Sequence, residues 1–186
     1  MMRRLLAVAA VAAFGVLAAA ADDKKGTAVE VAGLKGTAPA EWKSEEPSNR
    51  MRLLQFKLEK EKGDAEDAEL VVFTTPGGGG VTANLERQEK TFKLPDGVKK
   101  EDAVKTEEVK VGEYKGKYQD IKGTYLFKAA PFDPNAKTAE KEKFRQLYVI
   151  FEDDDKKVIS FRLVGPEKTV EKHKKAFDEF VKGFKK

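Results

Sequence analysis

The C-terminal third of the chain carries the pattern that most restricts its fold. Two apolar runs, Leu147–Phe151 and Val158–Val164, flank the wholly polar Glu152-Asp153-Asp154-Asp155-Lys156-Lys157. Two such runs joined by so short and so charged a segment predict a hairpin, because the tip cannot be buried and Asp suits a turn for ordinary backbone reasons. Gly165-Pro166 ends the second run, and proline is a good first helical residue, since its fixed φ fits a helix and its missing N–H would be unpaired there anyway. From that point Val170, Phe177, Phe180, Val181 and Phe184 recur at spacings of 7, 3, 1 and 3. They fall on one face of a helix of about 18 residues, roughly 27 Å long. Such a face is stable only when docked, so a sheet must lie beneath it.

Upstream the apolar period alternates between two and 3.6. Ala28–Val31 alternates as a short strand does, and Pro39-Ala40-Glu41-Trp42 forms a loop delivering the single Trp to the next extended segment. Met51–Leu58 sets Leu54, Phe56 and Leu58 on one side and Gln55 and Lys57 on the other, and a charged turn follows over 60–67. Glu69–Thr75 is a continuous run rich in β-branched residues, as in a central strand covered on both faces, and it stops at Pro76. Beyond the glycines, Val81, Leu85, Gln88 and Phe92 share one side, which predicts an amphipathic helix over 81–92 ending before Pro95-Asp96-Gly97. Lys105–Val111 and Tyr114–Phe127 predict an antiparallel pair joined around Gly112 and anchored by Tyr118, Ile121, Tyr125 and Phe127. The segment 129–143 has no period and is expected to be an exposed loop. The expected class is therefore α+β: an antiparallel sheet of about six strands, with the helices over 81–92 and 167–184 packed on it.

Residues 1–21 pose a separate question. Arg3 and Arg4 precede the apolar run Leu5–Leu17, which is shorter than the roughly 20 residues a membrane span requires, and four alanines follow before Asp22. This is the pattern of a secretory signal peptide, cleaved after Ala20 or Ala21, which leaves one globular domain over 22–186 and no stable membrane anchor. No Cys is available for lipid attachment. Loss of Arg3 and Arg4 leaves 34 basic against 32 acidic side chains, a net charge of +2 in place of +4. The signs alternate along the chain, so nucleic acid is not an expected partner. With no Cys and one His among 186 residues, the chain has no disulfide, no thiolate zinc or iron–sulfur site, no cysteine nucleophile and no multi-histidine metal centre. No cofactor is expected.

Four features bear on chemistry. The strand, glycine turn and helix at Val71–Leu85 could present backbone N–H groups to an anion, so Gly77, Gly78, Gly79, Gly80 and Thr82 form the candidate binding site. Gly80 is nevertheless followed by Val81-Thr82, without the Lys and metal-binding hydroxyl of a phosphate loop, and a tolerated flexible connector is the expected role. Asp153-Asp154-Asp155 lacks the alternating oxygens, the central Gly and the closing Glu of a calcium loop, and reads as a solvated tip. His173 sits at the edge of the terminal apolar face, with no Ser or Asp near it in sequence to suggest a triad. Trp42 with Tyr114, Tyr118 and Tyr125 fits core filling better than a carbohydrate or peptide platform.

Taken in order, the Pro39–Trp42 lead-in, the strands, the middle helix, the final hairpin and the Gly165-Pro166-Glu167-Lys168 turn into a Phe-ended helix resemble PsbP-like domains. The nearest look-alikes are uncharacterised secreted bacterial proteins with a Met-Arg-x-x-Gln strand (Met51, Arg52, Gln55) and an Asn-Leu-Glu-Arg helix (Asn84 to Arg87). The resemblance spans nearly all of the chain after residue 21. It implies an antiparallel sheet packed between helices, an α/β/α sandwich, and adaptor or assembly roles in protein complexes rather than catalysis. No binding residue carries over, because the metal-linked His positions of photosynthetic members have no matching motif and His173 lies in a different element. The expectation is an exported, periplasmic or extracellular, non-enzymatic module whose partner is another envelope protein. The alternative is a small secreted enzyme or an anion-binding protein using the glycine turn.

Overall fold

A computed structural model describes residues 26–75, 79–129 and 135–186. Along the chain these form β1 (Thr27–Val31), β2 (Leu34–Ala38), β3 (Lys43–Glu45), β4 (Arg52–Leu58), β5 (Ala68–Thr75), α1 (Gly80–Glu89), β6 (Phe92–Lys93), α2 (Lys100–Ala103), β7 (Val104–Val111), β8 (Tyr114–Lys128), β9 (Thr138–Glu152), β10 (Val158–Pro166) and α3 (Glu167–Lys182). β1 and β2 make a separate hairpin. The main sheet runs β3-β4-β5-β10-β9-β8-β6, with β7 also paired to β8, and every pairing is antiparallel. The C-terminal hairpin of the sequence is β9–β10, in register from Val158 opposite Glu152 to Pro166 opposite Phe144.

Alternation along the strands separates two faces. One carries Phe56, Leu58, Leu70, Val72, Leu147, Val149, Phe151, Phe161 and Leu163, and α3 lays Val170, Phe177, Phe180 and Val181 onto it, with Phe184 and the β1–β2 residues Val31, Leu34 and Ala38 closing the end. Trp42 joins this core 5.3 Å from Phe180 in an edge-to-face arrangement. The second face carries Tyr148, Ile150 and Val158, against which α1 sets Val81 and Leu85, and a smaller cluster of Phe92, Ile121, Phe144 and Val164. α1 and α3 therefore lie on opposite sides of the sheet. Ion pairs reinforce the α3 side: Arg145 grips Asp120 with Nε and Nη2 at 2.8 and 2.6 Å and also meets Glu171 of α3. Tyr118 donates to Asp178 at 2.9 Å, and burial beside that carboxylate pushes its hydroxyl well above the usual tyrosine range.

The sheet is larger than the expected six strands, with eight strands in the main sheet and two in the β1–β2 hairpin. The added strands of the main sheet are the short β3 and β6, and a further difference lies in the expected loop over 129–143, of which residues 130–134 lie outside the described residues. Thr138–Lys143, expected as loop, opens the 15-residue β9, pairing Thr138 with Lys128 and Lys141 with Tyr125. Its first three residues are exposed, so this arm has no buried side to impose a period and the sequence shows none. Phe127 is 38% exposed rather than an anchor. α1 ends at Glu89, and Phe92 begins β6 opposite Tyr125 instead of completing the helix. The apolar stripe of α1 is short, its one buried residue being Asn84, so Phe92 buries more surface on the sheet.

Candidate functional site

Gly77 and Gly78 lie outside the described residues. Gly79 and Gly80 have φ of +81° and +71°, values at which a Cβ is strained, so glycine here serves a left-handed entry into α1 rather than a merely tolerated link. Gly79 caps the helix with no side-chain hydrogen bond, and no acidic residue sits in the first turn. Thr82 is exposed. Glu152 stands beside this end, its Oε1 3.6 Å from where a Cβ on Gly80 would be. One carboxylate of the chain itself thus already faces the positive helix terminus.

The other sequence candidates settle into structural roles. His173 is 5% exposed and its Nε2 lies 3.0 Å from the Glu59 carbonyl, a buried tie between α3 and the loop after β4. At the acidic tip, Lys157 N–H donates to Asp153 at 2.8 Å and Lys157 Nζ to Asp155 at 2.8 Å, closing an ordinary turn. Among the described residues no three His, Asp or Glu side chains gather as a metal site, and no helix is long and apolar enough to cross a membrane. Trp42 and Tyr118 belong to the core, whereas Tyr114 and Tyr125 are half-buried.

The constellation that periodicity did not reveal lies on the second face. Register sets Gln55, Val71, Arg162, Tyr148 and Gln119 in one row across β4, β5, β10, β9 and β8, and Arg52, Phe73 and Ser160 in the next. A guanidinium from each flanking strand lies over the Phe73 ring, with Arg52 Cζ 5.6 Å and Arg162 Cζ 5.2 Å from its centroid. Arg52 Nη1 donates to Glu69 at 2.7 Å and to Gln55 at 2.8 Å, while Arg162 Nη2 stands 3.9 Å from the same Glu69. Both arginines keep 17–18% of their side chains exposed, and Glu69 keeps 36%. Their buried Nε–H groups have no hydrogen-bond partner among the described residues.

Arg87 of α1 adds a third guanidinium. Its Nη1 donates to Asn84 at 2.7 Å, and Asn84 in turn donates to the Gly80 carbonyl at 2.7 Å. Its Nη2 lies 4.0 Å from where a Cβ on Gly79 would sit, so the side chain folds back along the helix towards the glycine turn. Arg87 and Arg162 both act on the Tyr148 hydroxyl: burial raises it, and Ser160 with these two cations opposes the rise. The result is a row of stacked arginine and aromatic groups, fixed on strands, beside an entry to α1 that requires glycine. Arginine over aromatic faces gains cation–π and stacking energy, and here Glu69 already takes part of both forks over Phe73. The signal legible in the sequence was Arg162, an arginine inside the Val158–Val164 run otherwise fit for burial on both sides.

No family model matches the chain, and no curated protein matches it. Among solved structures the chain is similar to the solution structure of cyanobacterial PsbP (CyanoP) from Synechocystis sp. PCC 6803, with 14% identical residues, 95% of this chain and 97% of that one covered, and a TM-score of 0.45.

Proposed function

We propose that this chain is an exported, non-enzymatic binding or assembly module, and that it engages another envelope protein through the Arg52–Phe73–Arg162 face of its sheet. The observation that supports this is the pair of guanidiniums held over one half-buried phenylalanine, on strands β4, β5 and β10, while α1 packs against β9 on the same side. Arginine and aromatic side chains supply most of the energy at protein interfaces when they are gathered and already ordered. Here stacking and Glu69 fix them before any partner arrives, which lowers the entropy lost on docking. Met51 and Leu53, 43% and 38% exposed on either side of Arg52 in the chain, add apolar surface at its border.

The test uses the mature protein, whose N-terminus by sequencing should be Asp22, or Ala21 for the alternative cleavage. Immobilised protein is challenged with envelope extract beside an Arg52→Ala/Arg162→Ala variant of unchanged circular dichroism. A partner retained by the first and lost by the second supports the reading. Equal retention counts against it, as does turnover in a hydrolase screen that His173→Ala abolishes.

A further inference from the structure

Resting on that reading, we infer that the surface takes an acidic segment of the partner polypeptide, with Arg87 as the guanidinium that receives its carboxylate. The pairing of the three guanidiniums points there. Arg52 and Arg162 share Glu69, whereas Arg87 is oriented by the neutral Asn84 amide and makes no ion pair among the described residues. The carboxylates of this face are already engaged, Glu69 by both strand arginines, Glu45 by Gln55 and Glu89 by Gln119 and Lys100, which leaves Arg87 as the guanidinium of the three without a carboxylate partner among the described residues. Arg87 is exposed and Arg162 half-buried; Arg162 lies opposite Tyr148 in register and the helix that carries Arg87 packs on the Tyr148 cluster through Val81 and Leu85, so the two guanidiniums border one face from separate elements, β10 and α1. Guanidinium forks match carboxylates in a planar, two-bond geometry that lysine cannot reproduce. The apolar border distinguishes a peptide from a free anion. Phe73, Met51 and Leu53 offer nothing to phosphate, whereas a chain with apolar residues between its acidic ones covers both kinds of surface.

The experiment measures fluorescence anisotropy of a dye-labelled Glu-Leu-Glu-Glu-Leu-Glu peptide with the mature protein, beside the peptide with Gln in place of every Glu. Inorganic phosphate serves as competitor. The expected result is binding that weakens with salt, by about tenfold or more for the Gln peptide, and by about tenfold for Arg87→Gln, with folding unchanged because the site is exposed. Lys175→Gln, on α3 across the sheet with its side chain 89% exposed, should leave affinity within about twofold of the unsubstituted protein. Equal affinity in Arg87→Gln, or an equal loss in Lys175→Gln, overturns the inference. So does displacement of the peptide by phosphate at matching concentration, which would make this a free-anion site. An envelope partner whose capture depends on Arg52 and Arg162 but is not competed by the acidic peptide sinks this inference and leaves the docking reading standing. Capture indifferent to those arginines sinks the docking reading itself.

Discussion

Removing the Arg145 guanidinium should be among the most damaging single changes this fold can suffer. The side chain is 5% exposed and holds Asp120, itself 16% exposed, by two parallel hydrogen bonds of 2.8 and 2.6 Å. Arg145→Ala strands that carboxylate in a largely dry interface between α3 and the sheet. Breaking one partner of a buried pair costs about 3–5 kcal/mol, because the remaining charge has lost both water and counter-ion. For a domain of this size that corresponds to a fall of roughly 6–20 °C in Tm. Glu171, the third member, is 65% exposed, so Glu171→Ala should cost less than about 1 kcal/mol. Replacing both buried charges, Arg145→Met with Asp120→Leu, should recover most of the loss, since an apolar pair of similar volume pays no desolvation. Urea unfolding followed by circular dichroism and by the fluorescence of Trp42, 2% exposed when folded, reads all four proteins. An Arg145→Ala cost below about 1 kcal/mol, or one equal to that of Glu171→Ala, would refute this account of how α3 is pinned.

Phe177 is fully buried and meets Tyr118 edge-to-face at 6.2 Å, so Phe177→Ala should cost about 3–5 kcal/mol in the same unfolding assay, and a near-zero loss would contradict the docked helix. Tyr118 and Tyr148 both have hydroxyls raised above the ordinary value of 10.0 by burial. The unfolded chain releases those protons first, so the stability they contribute is full below about pH 10 and declines above it. Tyr118→Phe should flatten the alkaline fall, and an unchanged pH slope would contradict this. Gly79→Ala should cost about 1–2 kcal/mol, because the left-handed φ of +81° remains while the nearest neighbour, Ala83, leaves room at 3.4 Å. An increase in the urea midpoint would show that the turn does not need its glycine.

What the sequence made legible follows burial on one side. The buried core of the β9–β10 hairpin, the single apolar face of α3 and the alternation of β4 were readable, and the ends of α3, β4 and β10 fell within a residue or two of those expected. The outer arm of β8–β9 was not, because Thr138–Lys143 pairs through its backbone while its side chains stay largely in solvent. The site was hidden for a related reason. Arg52, Phe73 and Arg162 are far apart in sequence and become neighbours only when β4 and β10 take their places on either side of β5. Residues such as His173, chemically versatile by type, went to packing. Only the arginine breaking the apolar run of β10 hinted at the second face.

The claim that this face docks a partner is tested most directly by site-specific photo-crosslinking. A benzoylphenylalanine at position 53, next to Arg52 and 38% exposed, is compared in producing cells with one at the exposed position 182 on α3. The account predicts a discrete adduct with another envelope protein from position 53 and none from 182. It also predicts that the adduct disappears when Arg52 and Arg162 are both alanine and the chain still accumulates to the same level. Adducts of equal yield from both positions, or an adduct at 53 that survives loss of the two arginines, would contradict it.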